Sequence, residues 1–68
     1  MNYIYFVSFA YYRNRSSKQQ KTTNIEHAYD QEIESISDII CIENQIKQSF
    51  DFTSVDIISY QLLRTESN

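Results

Sequence analysis

The first strand of this chain needs to be covered on both of its faces. Between Tyr3 and Tyr12, every residue except Ser8 is apolar or aromatic. Successive side chains of an extended segment point to opposite faces, so a segment that is apolar on both is typical of a central strand rather than a half-exposed one. The sequence therefore predicts a strand over residues 3–12 in the middle of a sheet.

The rest of the chain predicts a second strand, a helix and a third strand. In the second strand, apolar residues and His27 alternate with polar residues, which is typical of an edge strand. Ser35 has the side chain of a helix N-cap, and Asp38 three positions later makes this a variant of the capping box. The predicted bounds are strand 22–33, helix 36–49, strand 54–63 and a fraying tail 64–68.

The predicted helix has one apolar face and one exception to it. At 100° per residue, Asp38 falls on the polar side and Glu43 falls near the middle of the apolar arc. The arc comprises Ile36, Ile39, Ile40, Ile42, Ile46 and Phe50. An unpaired carboxylate there is costly, so Glu43 is expected to pair with Lys47 one turn later, or to accept a hydrogen bond from a tyrosine hydroxyl or a neighbouring subunit.

The order of the elements predicts an α+β fold. An antiparallel hairpin followed by a helix and a third strand gives a three-stranded antiparallel or mixed sheet (β-β-α-β) of order 2-1-3, with the helix packed on one face. One helix leaves the other face of the sheet uncovered, so that face is expected to contact a second copy or a partner protein. The predicted interface residues are Tyr3, Tyr5, Phe9 and Glu43.

Residues 13–21 form a basic stretch without any acid, whereas residues 22–68 contain two basic and nine acidic residues. The chain has no glycine or proline for tight turns, so this stretch is predicted to be a long hairpin loop. It is a candidate site for an anionic partner, and the alternative is a solvated loop with no ligand. The candidate residues are Arg13, Arg15, Lys18 and Lys21 with the flanking Tyr11 and Tyr12.

No catalytic residues, cofactor or metal site are predicted. Glu26 and His27 are neighbours on a strand, so their side chains point to opposite faces and cannot form a catalytic pair. Cys41 lacks a second cysteine or a matched histidine and is expected to be an exposed thiol. The sequence pI of about 4.8 argues against general coating of nucleic acid. An enzyme is the least favoured class.

Length and cysteine content predict one small cytoplasmic domain. Sixty-eight residues allow a single domain, and the single cysteine is typical of a reducing compartment. The apolar N-terminal segment is too short to span a bilayer, and neither a basic n-region nor a cleavage site accompanies it. Neither a membrane anchor nor a secretory signal is therefore expected.

Three short blocks carry a resemblance to a known group. They are Tyr5-Phe6-Val7-Ser8-Phe9, Ser35-Ile36-Ser37-Asp38-Ile39 with Ile42-Glu43, and Val55-Asp56-Ile57-Ile58-Ser59-Tyr60-Gln61-Leu62-Leu63. The chain resembles small phage and prophage proteins that open on a Tyr-Phe-Val-Ser strand and continue with a Ser-Ile-x-Asp-Ile-x-x-Ile-Glu helix. Those proteins carry glycines in the first hairpin, where this chain has the basic loop.

The resemblance implies a viral accessory protein, a class that often includes stoichiometric inhibitors of host defence. The leading expectation is a non-catalytic, oligomeric binding protein that blocks or sequesters a bacterial defence component. One alternative is a small nucleic-acid or nucleotide-binding module that uses the 13–21 loop, which is possible but not favoured. The other is a structural self-association unit.

Overall fold

Across residues 1–14, 16 and 18–67, which this computed structural model describes, one helix packs on a three-stranded antiparallel sheet. The strands lie in the order β2-β1-β3, so the predicted α+β class and strand order are confirmed. The elements are β1 (Asn2–Tyr12), β2 (Lys21–Tyr29), α1 (Ile36–Phe50) and β3 (Ser54–Glu66). Arg15, Ser17 and Asn68 lie outside the described residues.

The central strand β1 has two unequal faces. On the helix face, its alternate residues from Tyr3 to Tyr11 lie beneath α1, with Val7 and Phe9 fully buried. On the open face, no element covers its other residues in the described part of the chain, and Phe6 is 40% exposed there. The buried core comprises Tyr5, Val7, Phe9, Tyr29, Ile42, Ile46 and Val55.

Two of the predicted strand bounds were wrong by more than one residue. β2 begins at Lys21 and ends at Tyr29 rather than Ile33, because the segment after it turns to hydrogen-bond the carboxylate of Asp38 at the start of the helix. β3 continues to Glu66 instead of fraying after residue 63. Its end pairs with Asn2 of β1, and this pairing keeps the predicted tail in the sheet.

The helix starts where its capping signal predicts. Ser35 is the N-cap, and its backbone N–H donates to Oδ2 of Asp38 at 3.2 Å. At the other end Asp51 adopts a left-handed conformation with φ 58°. Glycine usually fills such a position, and this glycine-free chain uses an aspartate, which tolerates that region better than most residues. The backbone N–H of Phe52 then closes the turn on the carbonyl of Lys47 at 3.0 Å.

The rotation of the helix differs from the predicted arc. Ile42 and Ile46 are buried as predicted, but Ile36 is 77% exposed and Ile40 is 50% exposed. Asp38, predicted on the polar side, is only 7% exposed and shares the buried stripe. Two polar anchors accompany this rotation, because Asp38 accepts a hydrogen bond from Tyr29 of β2 and Glu43 accepts one from Ile57 of β3.

Two irregularities in β3 change which side chains face the helix. The β1–β3 register shifts between Ser8 and Phe9 and again between Ile4 and Tyr5, so Ile58 and Leu63 are extra residues of β3. Such bulges interrupt the alternation of faces. Regular alternation along a strand would place Ile58 on the same face as Tyr60 and Leu62. In the structure Tyr60 and Leu62 instead follow Ile57 on the helix face, opposite Val7 and Tyr5.

Candidate binding surfaces

The basic stretch follows the end of the paired part of the β1–β2 hairpin. Tyr11 and Lys21 form the last strand pair before the loop, so Lys21 belongs to β2 and residues 13–20 form the connection. Arg13, Lys18 and Lys21 are exposed, and within the described part of the chain none of the three forms an ion pair. Arg15, the fourth predicted cation, lies outside the described residues.

The two tyrosines that flank the loop lie on opposite faces of the sheet. The ring of Tyr11 stacks on Phe52 at a centroid distance of 4.2 Å and lies 5.8 Å from Phe9. Phe52 in turn stacks on Phe50 at 5.4 Å. Tyr12 follows on the open face, opposite Ser54. The structure therefore brings Tyr11 into an aromatic cluster above the helix face rather than into one site with Tyr12 and the loop cations.

The predicted aromatic interface was largely wrong. Tyr5 is 4% exposed and Phe9 is fully buried, because the helix covers the face of β1 that carries them. Tyr3 is half-buried and packs against the same core. These side chains stabilise the fold, and contact between Tyr5 or Phe9 and a partner would require the helix to leave the sheet.

An ion-pair network covers part of the open face. Nη2 of Arg64 on β3 lies 2.9 Å from Oε1 of Glu26 on β2, and its Nε lies 2.9 Å from Oε2 of Glu66. Hydrogen bonds to Glu66 and Glu26 raise the pKa of Arg64. Since Arg64 pairs with Ile4 and Glu26 pairs with Phe6 in the sheet, the ion pair crosses β1 between these two side chains. Ile4 is consequently only 6% exposed without a second subunit.

The largest exposed apolar surface lies elsewhere, along β3 and the neighbouring side of the helix. Ile36, Ile40 and Glu43 follow one another at spacings of four and three residues, which places them on one side of the helix. The bond between Glu43 and Ile57 identifies that side as the one next to β3. The exposed residues of this β3 surface are Ile36, Ile40, Ile58, Tyr60, Leu62 and Leu63.

Sequence reasoning did not find the β3 surface. Tyr60 and Leu62 lie on the helix face, yet they are 46% and 42% exposed, so the helix leaves this half of β3 uncovered. Tyr60 makes an edge-on contact with Tyr5 at 5.9 Å between ring centroids. The available signal was the uncharged run of residues 57–63, which is unusual for an edge strand because edges normally carry charges or proline.

The burial of Asp38, which the sequence predicted only as a member of the capping box, is the second feature that sequence reasoning missed. Its Oδ1 accepts hydrogen bonds from the hydroxyl of Tyr29 at 2.9 Å and from the side chain of Gln31, and its Oδ2 accepts the backbone N–H of Glu34 at 3.0 Å. The bonds from Glu34 and Tyr29 lower the pKa of Asp38 from its usual 3.8 to about 2. Burial, with hydrogen bonds to Cys41 and Asp38, raises the pKa of Tyr29. The carboxylate thus joins β2, the connecting segment and the helix.

Glu43 has a partner that was not among those expected for it. Its Oε2 accepts the backbone N–H of Ile57 at 2.8 Å, and in the described part of the chain it pairs neither with Lys47 nor with a tyrosine hydroxyl. The N–H of Ile57 lies beside the first bulge of β3. Glu43 therefore satisfies a backbone donor at the edge of the sheet.

Replacing Glu43 by alanine is expected to lower the free energy of unfolding by about 1–2 kcal/mol, because a hydrogen bond to a charged acceptor is lost. Glu43→Gln keeps an acceptor oxygen and should lose about half of that amount. Urea unfolding followed by circular dichroism measures both. Glu32→Ala removes an exposed carboxylate and serves as the control. If Glu43→Ala and Glu32→Ala unfold at the same urea concentration, the bond to Ile57 does not stabilise the fold.

His27 and Cys41 are both hydrogen-bonded to the side chain of Gln45. A ring nitrogen of His27, Nε2, lies 2.7 Å from Oε1 of Gln45, and Nε2 of Gln45 donates to Sγ of Cys41 at 3.7 Å. Cys41 is exposed, as predicted. A glutamine amide separates the two groups, so no imidazole contacts the thiol.

The described residues contain no enclosed site. Among residues 1–14, 16 and 18–67 there is no pocket, no group of three or more side chains that could hold a metal ion, and no helix long and apolar enough to cross a membrane. No family model, curated protein or solved structure matches the chain. The candidate functional features of the described residues are therefore the exposed basic residues and the β3 surface.

Proposed function

We propose that this chain is a non-catalytic binding protein that holds an anionic partner with the basic loop at the tip of its β1–β2 hairpin. The observation that carries the proposal is the exposure of Arg13, Lys18 and Lys21 without any ion pair in the described part of the chain. Cations without carboxylate neighbours remain available for charge-assisted hydrogen bonds to another molecule.

The charge distribution supports contact at this tip alone. Residues 22–68 contain nine acidic and two basic residues, so the body of the molecule repels an anionic surface while the loop attracts it. Complementary potentials of this kind orient a partner during encounter and exclude other orientations. The body is elongated, with principal extents of 40 × 21 × 16 Å, and the loop lies beyond the end of the hairpin ladder.

An acidic protein surface fits the loop better than a nucleic acid. Single-stranded nucleic acids are held by aromatic rings on which the bases stack, and the ring of Tyr11 is already stacked on Phe52. Four cations can neutralise only a few phosphates. Binding of a nucleic acid or a nucleotide is therefore the alternative function, and the capture experiment distinguishes it from binding of an acidic protein.

The resemblance to phage and prophage proteins suggests which partner to seek. Under this proposal the chain acts in the cytoplasm of a bacterial host, where it blocks or sequesters a defence component by stoichiometric binding. The support for this assignment is the set of three sequence blocks, and the support for the mode of binding is the exposed loop.

The test compares capture from a bacterial lysate, with and without nuclease treatment, by three forms of the protein. The loop variant replaces Arg13, Arg15, Lys18 and Lys21 by glutamine, and it is expected to lose the captured protein. The control variant makes the same change in net charge on exposed helix positions. Its substitutions are Asn44→Glu, Lys47→Gln, Gln48→Glu and Ser49→Glu. Circular dichroism establishes that all three forms are folded.

The outcomes separate the candidate functions. Equal capture by the loop variant and wild type would show that the loop is only a solvated connection. Equal loss in the loop and control variants would indicate a dependence on net charge rather than on the loop. Capture that disappears on nuclease treatment, with an affinity for duplex DNA that falls with a log–log salt slope of about −0.9 per phosphate, would establish the nucleic-acid alternative.

A further inference from the structure

We infer that two copies of this chain pair through the free edges of β3, antiparallel and centred on Tyr60, to form one six-stranded sheet. β3 is thirteen residues long and lies at the edge of the sheet. From residue 58 to residue 67 every residue is exposed. This surface is separate from the basic loop, so the inference does not depend on the proposed function.

The two edges of the sheet differ in how they are protected. β2, at one edge, carries Lys21, Glu26 and mostly polar residues between them. β3 has no charged residue from Ile57 to Leu63. Charged side chains discourage pairing between edges, and a long uncharged edge favours it. β3 is thus the edge suited to adding a strand.

The sequence of β3 is complementary to itself about Tyr60. In an antiparallel pair with Tyr60 opposite the partner's Tyr60, residues at equal distances on either side face each other. Asp56 then lies opposite the partner's Arg64, and the symmetry repeats this pair. In a single subunit the guanidinium of Arg64 points across β1 to Glu26, so its side chain turns towards the free edge when the dimer forms. Both side chains are on the open face, because Asp56 pairs with Ala10 and Arg64 pairs with Ile4 within one subunit. Opposite charges across a strand pair stabilise it.

Other registers lose this complementarity. A shift of two residues that centres the pair on Gln61 places Asp56 opposite the partner's Glu66, where like charges repel. A shift in the other direction, centred on Ser59, places Arg64 opposite the partner's Ser54 and leaves the charges unpaired. A shift by one residue opposes the open face of one strand to the helix face of the other. Among these neighbouring registers, only the one centred on Tyr60 pairs opposite charges.

The bulges limit the backbone ladder to its centre. Glu43 already occupies the N–H of Ile57, and Ile58 and Leu63 are the extra residues of the two bulges. Between them, residues 59–62 pair regularly with β1, so the outer edge of this stretch offers regular backbone groups on both sides of Tyr60. The interface therefore combines a short ladder with side-chain contacts at its ends.

The same arrangement covers the rest of the β3 surface. The two-fold axis of an antiparallel pair is perpendicular to the sheet, so both helices lie on the same side of the six-stranded sheet. Ile36 and Ile40 lie on the β3 side of each helix and are 77% and 50% exposed. They would face their counterparts across a floor formed by Tyr60 and Leu62 of both subunits. Burying these apolar side chains favours association.

The first test is sedimentation equilibrium of the full chain from about 1 to about 500 µM, since dimer stability depends on protomer concentration. The wild type is expected to dimerise in this range. Tyr60→Lys places two like charges on the symmetry axis and should raise the dissociation constant by about 100-fold or more. Thr23→Lys adds the same charge at an exposed position of the other edge, and it should dimerise as the wild type does.

Complementary charge variants test the register. Asp56→Lys and Arg64→Glu each place like charges opposite one another in a dimer with themselves, so each alone should be a weaker dimer than the wild type. When the two are mixed, the substituted lysine faces the substituted glutamate and the native Arg64 faces the native Asp56. The mixture should recover association. Circular dichroism checks that Arg64→Glu, which also loses the ion pair to Glu26, is folded.

Three results would overturn the inference. A wild type that stays monomeric at every concentration contradicts it. The same holds if β3 pairs with a strand of a different protein while the chain does not pair with itself. A dimer unaffected by Tyr60→Lys uses another surface. A mixture of Asp56→Lys and Arg64→Glu that associates no better than the separate variants excludes the register centred on Tyr60.

Discussion

Phe9→Ala is expected to remove a large part of the stability of the fold, so that this variant unfolds at a much lower urea concentration than the wild type. Phe9 is fully buried and lies beside the stacked rings of Tyr11 and Phe52, at centroid distances of 5.8 and 6.3 Å. Truncating a buried phenylalanine to alanine typically costs about 3–5 kcal/mol. A domain of this size is expected to have only about 3–10 kcal/mol of total stability, so the substitution removes a large part of it.

Phe6→Ala provides the matched control on the same strand. Phe6 is 40% exposed on the open face, so its truncation should cost about 1 kcal/mol or less. Urea unfolding of the two variants, followed by circular dichroism, measures the difference. If both are equally destabilised, the helix does not cover the face of β1 that carries Phe9. If Phe9→Ala keeps wild-type stability and the protein loses a partner, Phe9 is an interface residue after all.

The contrast between Phe6 and Phe9 shows what the alternation along β1 predicts and what it leaves open. Two apolar faces identify β1 as the central strand, and this was confirmed. The alternation does not identify the face that the helix covers, because Phe6 and Phe9 are the same residue type on opposite faces. That choice depends on where the helix crosses the sheet, which is a tertiary property. The predicted interface at Tyr5 and Phe9 was wrong for this reason.

The helix shows a related limit. Its N-cap and its length follow from local chemistry at Ser35 and were predicted within one residue. The buried stripe was not, because hydrophobic periodicity ranks Ile36 above Asp38 for burial. A carboxylate with several hydrogen-bond donors can lie in a core position. Those donors come from β2 and the segment after it, so they are recognisable only once the fold is known.

The β3 surface follows from the bulges. A simple alternation places Ile58 with Tyr60, but the register shift at Ile58 separates them. Bulges depend on the fit between neighbouring strands and have no glycine or proline to mark them in this chain. The charge of the basic loop and its place between two strands were readable directly, because charge and element order do not depend on packing. The uncharged run of residues 57–63 is also visible in the sequence. It indicates a pairing edge only once β3 is known to lie at the edge of the sheet.

Asp38→Asn is expected to be the most destabilising polar substitution, with a fall in the melting temperature of about 10 °C in a domain of this size. Asparagine has one acceptor oxygen, so it cannot serve the donors on both oxygens of Asp38. Its amide N–H groups would point at the side-chain N–H of Gln31 or at the backbone N–H of Glu34. Asp30→Asn, at an exposed position, is the control. Equal melting temperatures for the two variants would contradict the role of Asp38.

The pH dependence of stability distinguishes the stabilisation due to the negative charge of Asp38 from that due to the hydrogen-bonding geometry of its side chain. Folding lowers the pKa of this carboxyl group from its usual 3.8 to about 2, so the unfolded chain takes up the proton first as the pH falls. The stabilisation is therefore present above pH 4 and is lost progressively between pH 4 and pH 2. Other acids also titrate in this range, but they do so in the wild type and in Asp38→Asn alike. The difference in unfolding free energy between the two proteins should consequently shrink from pH 5 to pH 2. A difference that stays constant over this range would mean that the charge of Asp38 contributes nothing and that only the hydrogen-bonding shape of its side chain matters.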